Sequence, residues 1–176
     1  AAGLRGVKQL RWAAKHMTGQ TASPFEVQTS MLVSLPRDEG GIGINIANNV
    51  RIPLSDAARS LYDKTCCYAD ILIESSTDSM GIILECQGRS AHDSEAASLS
   101  DAERTTALTS MGYDVIQITY EQIKDKKSFD SIAELIHKKA GLPYIPKTDQ
   151  ERTIEDALRR ELLVNWVELF TAKPAS

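Results

Sequence analysis

The sequence predicts a single α/β domain with a mixed central β-sheet flanked by helices and extra helices at its C-terminal end. Three observations lead to that class. Two apolar, β-branched runs, 66–74 and 80–87, are separated by the polar, turn-like stretch 75–79, so they read as a hairpin. A third apolar run stands at 113–119, after a segment of helical character. Helix signals lie before, between and after these runs, giving the order helix, strands, helix, strand, helices.

The 176 residues are enough for one domain with a sizeable core. A content of 42% hydrophobic and 25% charged residues is that of an ordinary globular protein. No apolar run is long enough to span a membrane, and residues 1–20 are basic without the apolar stretch of a signal peptide. There are three cysteines, of which Cys66 and Cys67 are adjacent, so neither a disulfide framework nor zinc spacing is present. A reducing, cytoplasmic compartment is expected. The net charge of −4 argues mildly against nucleic-acid binding, since most such domains are basic. An acidic metal site would lower the net charge while leaving room for a local basic patch. The chain begins at Ala1 without an initiator Met, as expected for the end of a longer protein with an upstream domain.

Residues 4–17 place Leu4, Val7, Leu10, Ala14 and Met17 at helical spacing, with a basic face that is either solvated or meets phosphate. Together with a linker they form an N-terminal unit, 1–22. At 23–26, Ser-Pro-Phe-Glu is a helix start: Ser23 caps, Pro24 suits the first turn and Glu26 completes a capping box. That helix should end before Pro36 and bury Val27, Met31, Leu32 and Leu35. Asn48-Asn49 signals a turn, followed by a short edge strand ended by Pro53. Residues 55–64 fit a helical turn or an extended piece equally well. After a polar loop, 88–97, Ser100-Asp101-Ala102-Glu103 reads as a capping box opening a helix that ends at Gly112. The run 113–119 has little polar interruption and is expected to be a central strand. Ser131 to Glu134 caps a helix reaching Ala140, with Gly141 after it, which closes the main domain, 23–141. Pro143 and Pro146 break the chain. A C-terminal helical extension, 142–176, should bury Ile154, Leu158, Leu162, Trp166 and Leu169.

Asp70 and Glu85 are the sharpest chemical signal, one carboxylate on each strand of the hairpin. Magnesium takes hard oxygen ligands, one or two carboxylates with water and substrate oxygens. A bound divalent ion polarises a phosphate and acidifies water, which suits phosphodiester hydrolysis. Gln87, two residues beyond Glu85, points to the same face of the strand. By spacing alone, Asp70 and Glu85 read more readily as ordinary strand-end acids. Cys86 points to the opposite face and reads as a small buried residue.

The series Asp70, hairpin, Glu85-x-Gln87, a helix with Asp101-x-x-Arg104, then Gly-Tyr-x-Val-Ile-x-x-Thr ending at Thr119 resembles the PD-(D/E)XK nuclease superfamily. Within it, very-short-patch-repair-like and DUF559-type endonuclease domains are the most similar. The resemblance covers about 23–141 and implies a restriction-endonuclease-like core cutting DNA with Mg²⁺ or Mn²⁺. By that resemblance Asp70 and Glu85 hold the metal, with Glu26 assisting from the first helix. Gln87 stands where the family usually has Lys, and Gln brings hydrogen bonds without the charge. His92 in the following loop would donate a proton or touch phosphate, unless it is simply a surface residue. Arg104 would reach a phosphate or brace the carboxylates. Arg89 would contact DNA, while Asp101 and Thr119 give structural support. A homodimer fits an enzyme that cuts both strands. The rival reading is a nuclease-like fold without activity, acting as a DNA-binding or toxin–antitoxin-type regulatory module. A third, an interaction domain, rests only on Trp166 and Phe170.

Overall fold

A computed structural model describes residues 18–87 and 95–163. The N-terminal helix expected at 4–17, Arg89, His92, Trp166, Leu169 and Phe170 lie outside the described residues.

The first helix, α1, spans Pro24–Ser34 and starts as its sequence dictates, with the Ser23 hydroxyl accepting from the Glu26 amide. Half of the expected stripe, Leu32 and Leu35, is buried. Val27 and Met31 are only half-buried, while Gln28, Thr29 and Ser30 join Leu32 and Val33 inside. Hydrogen bonds make this possible: Gln28 donates to the Leu162 carbonyl at 2.7 Å, Thr29 to the Phe25 carbonyl at 2.9 Å, and Ser30 to Asn48 at 2.8 Å. A 3-10 turn at Arg37–Glu39 follows.

Strand β1 runs Ala47–Pro53 straight through Asn48 and Asn49, which therefore do not form a turn. Asn49 takes φ +50°, which Asn tolerates better than most residues, so the turn-type residue is absorbed within a strand. The undecided segment 55–64 holds a short helix, α2, Asp56–Arg59. Strands β2, Cys66–Ile73, and β3, Gly81–Gln87, form the expected antiparallel pair. Helix α3 spans Glu95–Ser110, beginning before the capping box predicted at Ser100, which lies inside it.

Strand β4, Tyr113–Thr119, pairs parallel with β3, and the four-stranded sheet has the order β1-β2-β3-β4. Among the described residues β4 is thus an edge strand and not the central one expected. Its apolar content has another cause: Ile116 and Ile118 face one helical layer while Val115 packs toward the other. Thr119 caps the short helix α4, Tyr120–Lys124, in a full capping box with Gln122. Helix α5, Lys126–Ala140, starts earlier than expected because Asp125 caps it; Ser131 is interior and bonds back to the Lys127 carbonyl. Gly141 at φ +71° closes it.

The last described helix, α6, spans Asp149–Leu162 behind a Thr148–Glu151 capping box. Leu162 is buried as expected, but Ile154 and Leu158 are half-buried, and the deepest neighbours are Glu155 and Arg159. Glu155 sits between the Lys147 ammonium at 3.0 Å and the Arg159 guanidinium at 2.7 Å, so the charges are buried as a set. Arg37 ties this segment to the 3-10 turn, donating to Glu151 at 2.7 and 2.8 Å and to the carbonyls of Ile145 and Pro146.

The sheet carries helices on both faces. On one, Ile71, Ile73, Ile82, Leu84, Ile116 and Ile118 pack against α1, α4, α5 and Leu162 of α6. On the other, Ile52, Cys67, Ala69 and Ile83 pack against Ala58 of α2 and Ala107 and Leu108 of α3. The chain is therefore an α/β protein with a mixed four-stranded sheet flanked by helices.

Candidate functional site

Strand β2 changes the face it presents at Asp70. Cys67 and Ala69 belong to the α2/α3 side, but Ile71 and Ile73, at the same parity, belong to the α1/α5 side. The left-handed Asn49 lies beside it, between the pairs Asn48–Ile71 and Val50–Ala69. On the other flank the β2–β3 ladder ends at Ile71–Leu84, and one step further in the same register Asp70 stands against Glu85. There the strands part, and the Asp70 carboxylate takes the place of a backbone acceptor. Its Oδ2 receives the Cys86 amide at 2.8 Å.

Glu85 follows Ile83 on the α3 side of β3 and is only 2% exposed. Its Oε2 accepts from Arg104 of α3 at 2.5 Å. Its Oε1 is buried with no hydrogen-bond partner among the described residues. Burial pushes the Glu85 carboxyl up to about 7 against the pull of Arg104, with Asp70 and Asp101 adding to the rise. Asp70 is raised too, chiefly by burial, with the amide of Cys86 opposing and Glu26 and Asp101 contributing from opposite helical layers. The structure thus brings Asp70, Glu85 and Arg104 together, with Glu26 and Asp101 in electrostatic reach.

Glu26 is already engaged. One oxygen accepts the Ala22 amide at 2.7 Å and the other the Ser23 hydroxyl at 2.9 Å. Among the described residues no group of three or more His, Cys, Asp or Glu is placed to hold a metal ion. The donor set that fits a hard cation is accordingly two carboxylates, Asp70 and Glu85, with the orphaned Glu85 Oε1 as the open ligand position; water and substrate oxygens would complete the shell. Gln87 is half-buried and shares the parity of Glu85. Cys86 packs toward the other side, and burial pushes its thiol up to about 12, so it is no nucleophile at neutral pH.

The sequence reading passed over Gln117. In the parallel register it stands beside Glu85, as Thr119 stands beside Gln87, and both are exposed. The alternation Val115, Gln117, Thr119 was the available signal, since an apolar run broken at every second position marks one face. Arg104 is committed to Glu85, which makes it a brace, and Thr119 has the capping role expected of it.

No protein-family profile, no curated protein and no solved structure matches this chain. What the fold and site define is an α/β protein with a half-desolvated carboxylate pair at the parting of two antiparallel strands.

Proposed function

We propose that the chain is a metal-dependent endonuclease with a restriction-endonuclease-like core, hydrolysing DNA phosphodiester bonds. The observation that carries this reading is the buried, unpartnered Glu85 Oε1 beside Asp70. Leaving a carboxylate oxygen desolvated and unbonded is costly, and a cation held by Glu85 and Asp70 would offset that cost. The order of antiparallel pair, crossover helix and parallel strand also suits such a core.

In this reading Asp70 and Glu85 would hold Mg²⁺ or Mn²⁺, which would supply Lewis-acid polarisation of the phosphate and an acidified water. Arg104 keeps Glu85 aimed inward and moderates the repulsion between the two carboxylates. Gln87 would position a water through its amide, without the positive charge that a Lys would bring to the phosphate. Gln117 offers a further amide on the same face. Glu26 acts on the site through its field on Asp70.

One observation favours a second reading. The Arg104 guanidinium already neutralises Glu85 through its Oε2, and an ion pair in place of a metal suits a binding module that has lost activity. A cleavage assay separates the two. Supercoiled and single-stranded DNA are incubated with Mg²⁺ or Mn²⁺ and the wild type, Asp70→Ala or Glu85→Ala. Cleavage by the wild type that both substitutions abolish is the expected outcome. Cleavage that survives both, or none by any form, leaves the binding module.

A further inference from the structure

A second site lies outside the carboxylate pair, where α4, α5 and α6 meet. A cavity of about 330 Å³ is lined by Lys124, Lys126, Asp156, Arg159, Arg160 and Leu163. Four of these six side chains are cationic, although the whole chain carries a net charge of −4. Arg159 is 6% exposed; its Nε is held by Glu155 and its Nη1 by the Ile123 carbonyl. Its Nη2 is buried with no hydrogen-bond partner among the described residues. A guanidinium with a spare donor in a cationic cavity is matched by an anion that accepts several hydrogen bonds.

Lys126 is the first residue of the 15-residue helix α5, so the cavity lies beside the start of that helix, which Asp125 caps. Asp156 in the lining is paired with Lys126, as Arg159 is with Glu155, which leaves Lys124 and Arg160 to set the sign of the cavity. Lys124 and Arg160 are both exposed.

Tyr120 links the cavity to the end of β4 beside Gln87. Leu163 accepts from the Tyr120 hydroxyl at 3.4 Å, and Tyr120 directly follows Thr119, the strand partner of Gln87. On its other side the Tyr120 ring meets Phe25, the residue before Glu26, at 6.0 Å. Lys124 lies four residues beyond Tyr120 in α4, roughly 6 Å along the axis.

We propose that this cavity binds a phosphate group of a nucleic-acid backbone, holding the strand across the rim on which Asp70 and Glu85 sit. The inference rests on the nuclease reading for its choice of ligand and gives α6 a role in holding substrate. It is tested without cleavage. Fluorescence anisotropy of labelled single- and double-stranded oligonucleotides is recorded in EDTA over a salt series, with the wild type and with Lys124→Ala/Arg160→Ala. Thermal melts confirm that the variant is folded. The expected result is several-fold weaker binding by the variant and a log-affinity against log-salt slope reduced by about 1 per residue removed. Equal affinity and equal slope overturn the proposal. Should no oligonucleotide bind, inorganic phosphate is added to melts of both forms: stabilisation of the wild type alone overturns the nucleic-acid source, and stabilisation of neither overturns the site. A protein that binds DNA here yet cuts none would remove the enzyme and keep the cavity.

Discussion

Glu85 carries a price that depends on pH. Burial pushes its carboxyl up to about 7, against 4.5 in the unfolded chain. Between those values the folded protein holds a proton that the unfolded chain has released, so folding becomes less favourable as pH rises from about 4.5 to about 7. The shift corresponds to stability on the order of 3 kcal/mol. Asp70, also raised, adds in the same direction. Urea melts of the wild type should therefore weaken between pH 5 and pH 8, while Glu85→Gln, which cannot ionise, should give a flatter profile. Identical profiles for the two would mean that Arg104 keeps Glu85 charged throughout. The pairing of Asp70 with Glu85 was legible in the sequence, because two strands joined by a short turn must bring such ends together. The orphaned oxygen and the commitment of Arg104 were not, since both depend on how α3 seats over β3.

At the level of elements, α6 shows why periodicity misled. Apolar residues at 154, 158 and 162 mark one stripe, yet the positions driven deepest are Glu155 and Arg159. A polar residue can take a core position when its partners come with it, and the partners here, Lys147 and the Ile123 carbonyl, lie elsewhere in the chain. Arg159 further stacks its guanidinium over the Phe129 ring at 4.8 Å. Glu155→Ala leaves Lys147 and Arg159 buried without their counter-charge and should cost about 3–5 kcal/mol in a denaturant melt. A loss near that of removing the Thr148 cap, about 1 kcal/mol, would show that the three charges do not act as a set. Helix starts show a related limit. Ser23 and Thr119 cap as expected, whereas Ser100 and Ser131 have the same pattern inside longer helices, because a capping box stops a helix only where the preceding residues do not continue it.

For the molecule as a whole, the sequence carried the α/β class, the hairpin and the helix that leads from it to the last strand. It did not carry the order of strands: β4 reads as central because helices cover both its faces, and coverage by helices and by strands leaves the same apolar signature. Nor did it carry the reversal at Asp70, which needs the left-handed Asn49 of a neighbouring strand. That reversal makes the sheet permeable to charge. Glu26 belongs to the layer of α1 and Asp101 to the layer of α3, and a sheet normally insulates such layers from each other. At the twist in β2 both act on one carboxyl. Glu26→Gln and Asp101→Asn should each lower the titration midpoint of Asp70, followed by carbon-13 carboxyl NMR; a midpoint moved by one and untouched by the other would place Asp70 on a single side. A change made in either helical layer would then be read by the same proton, at the one point where the two halves of the core share a group.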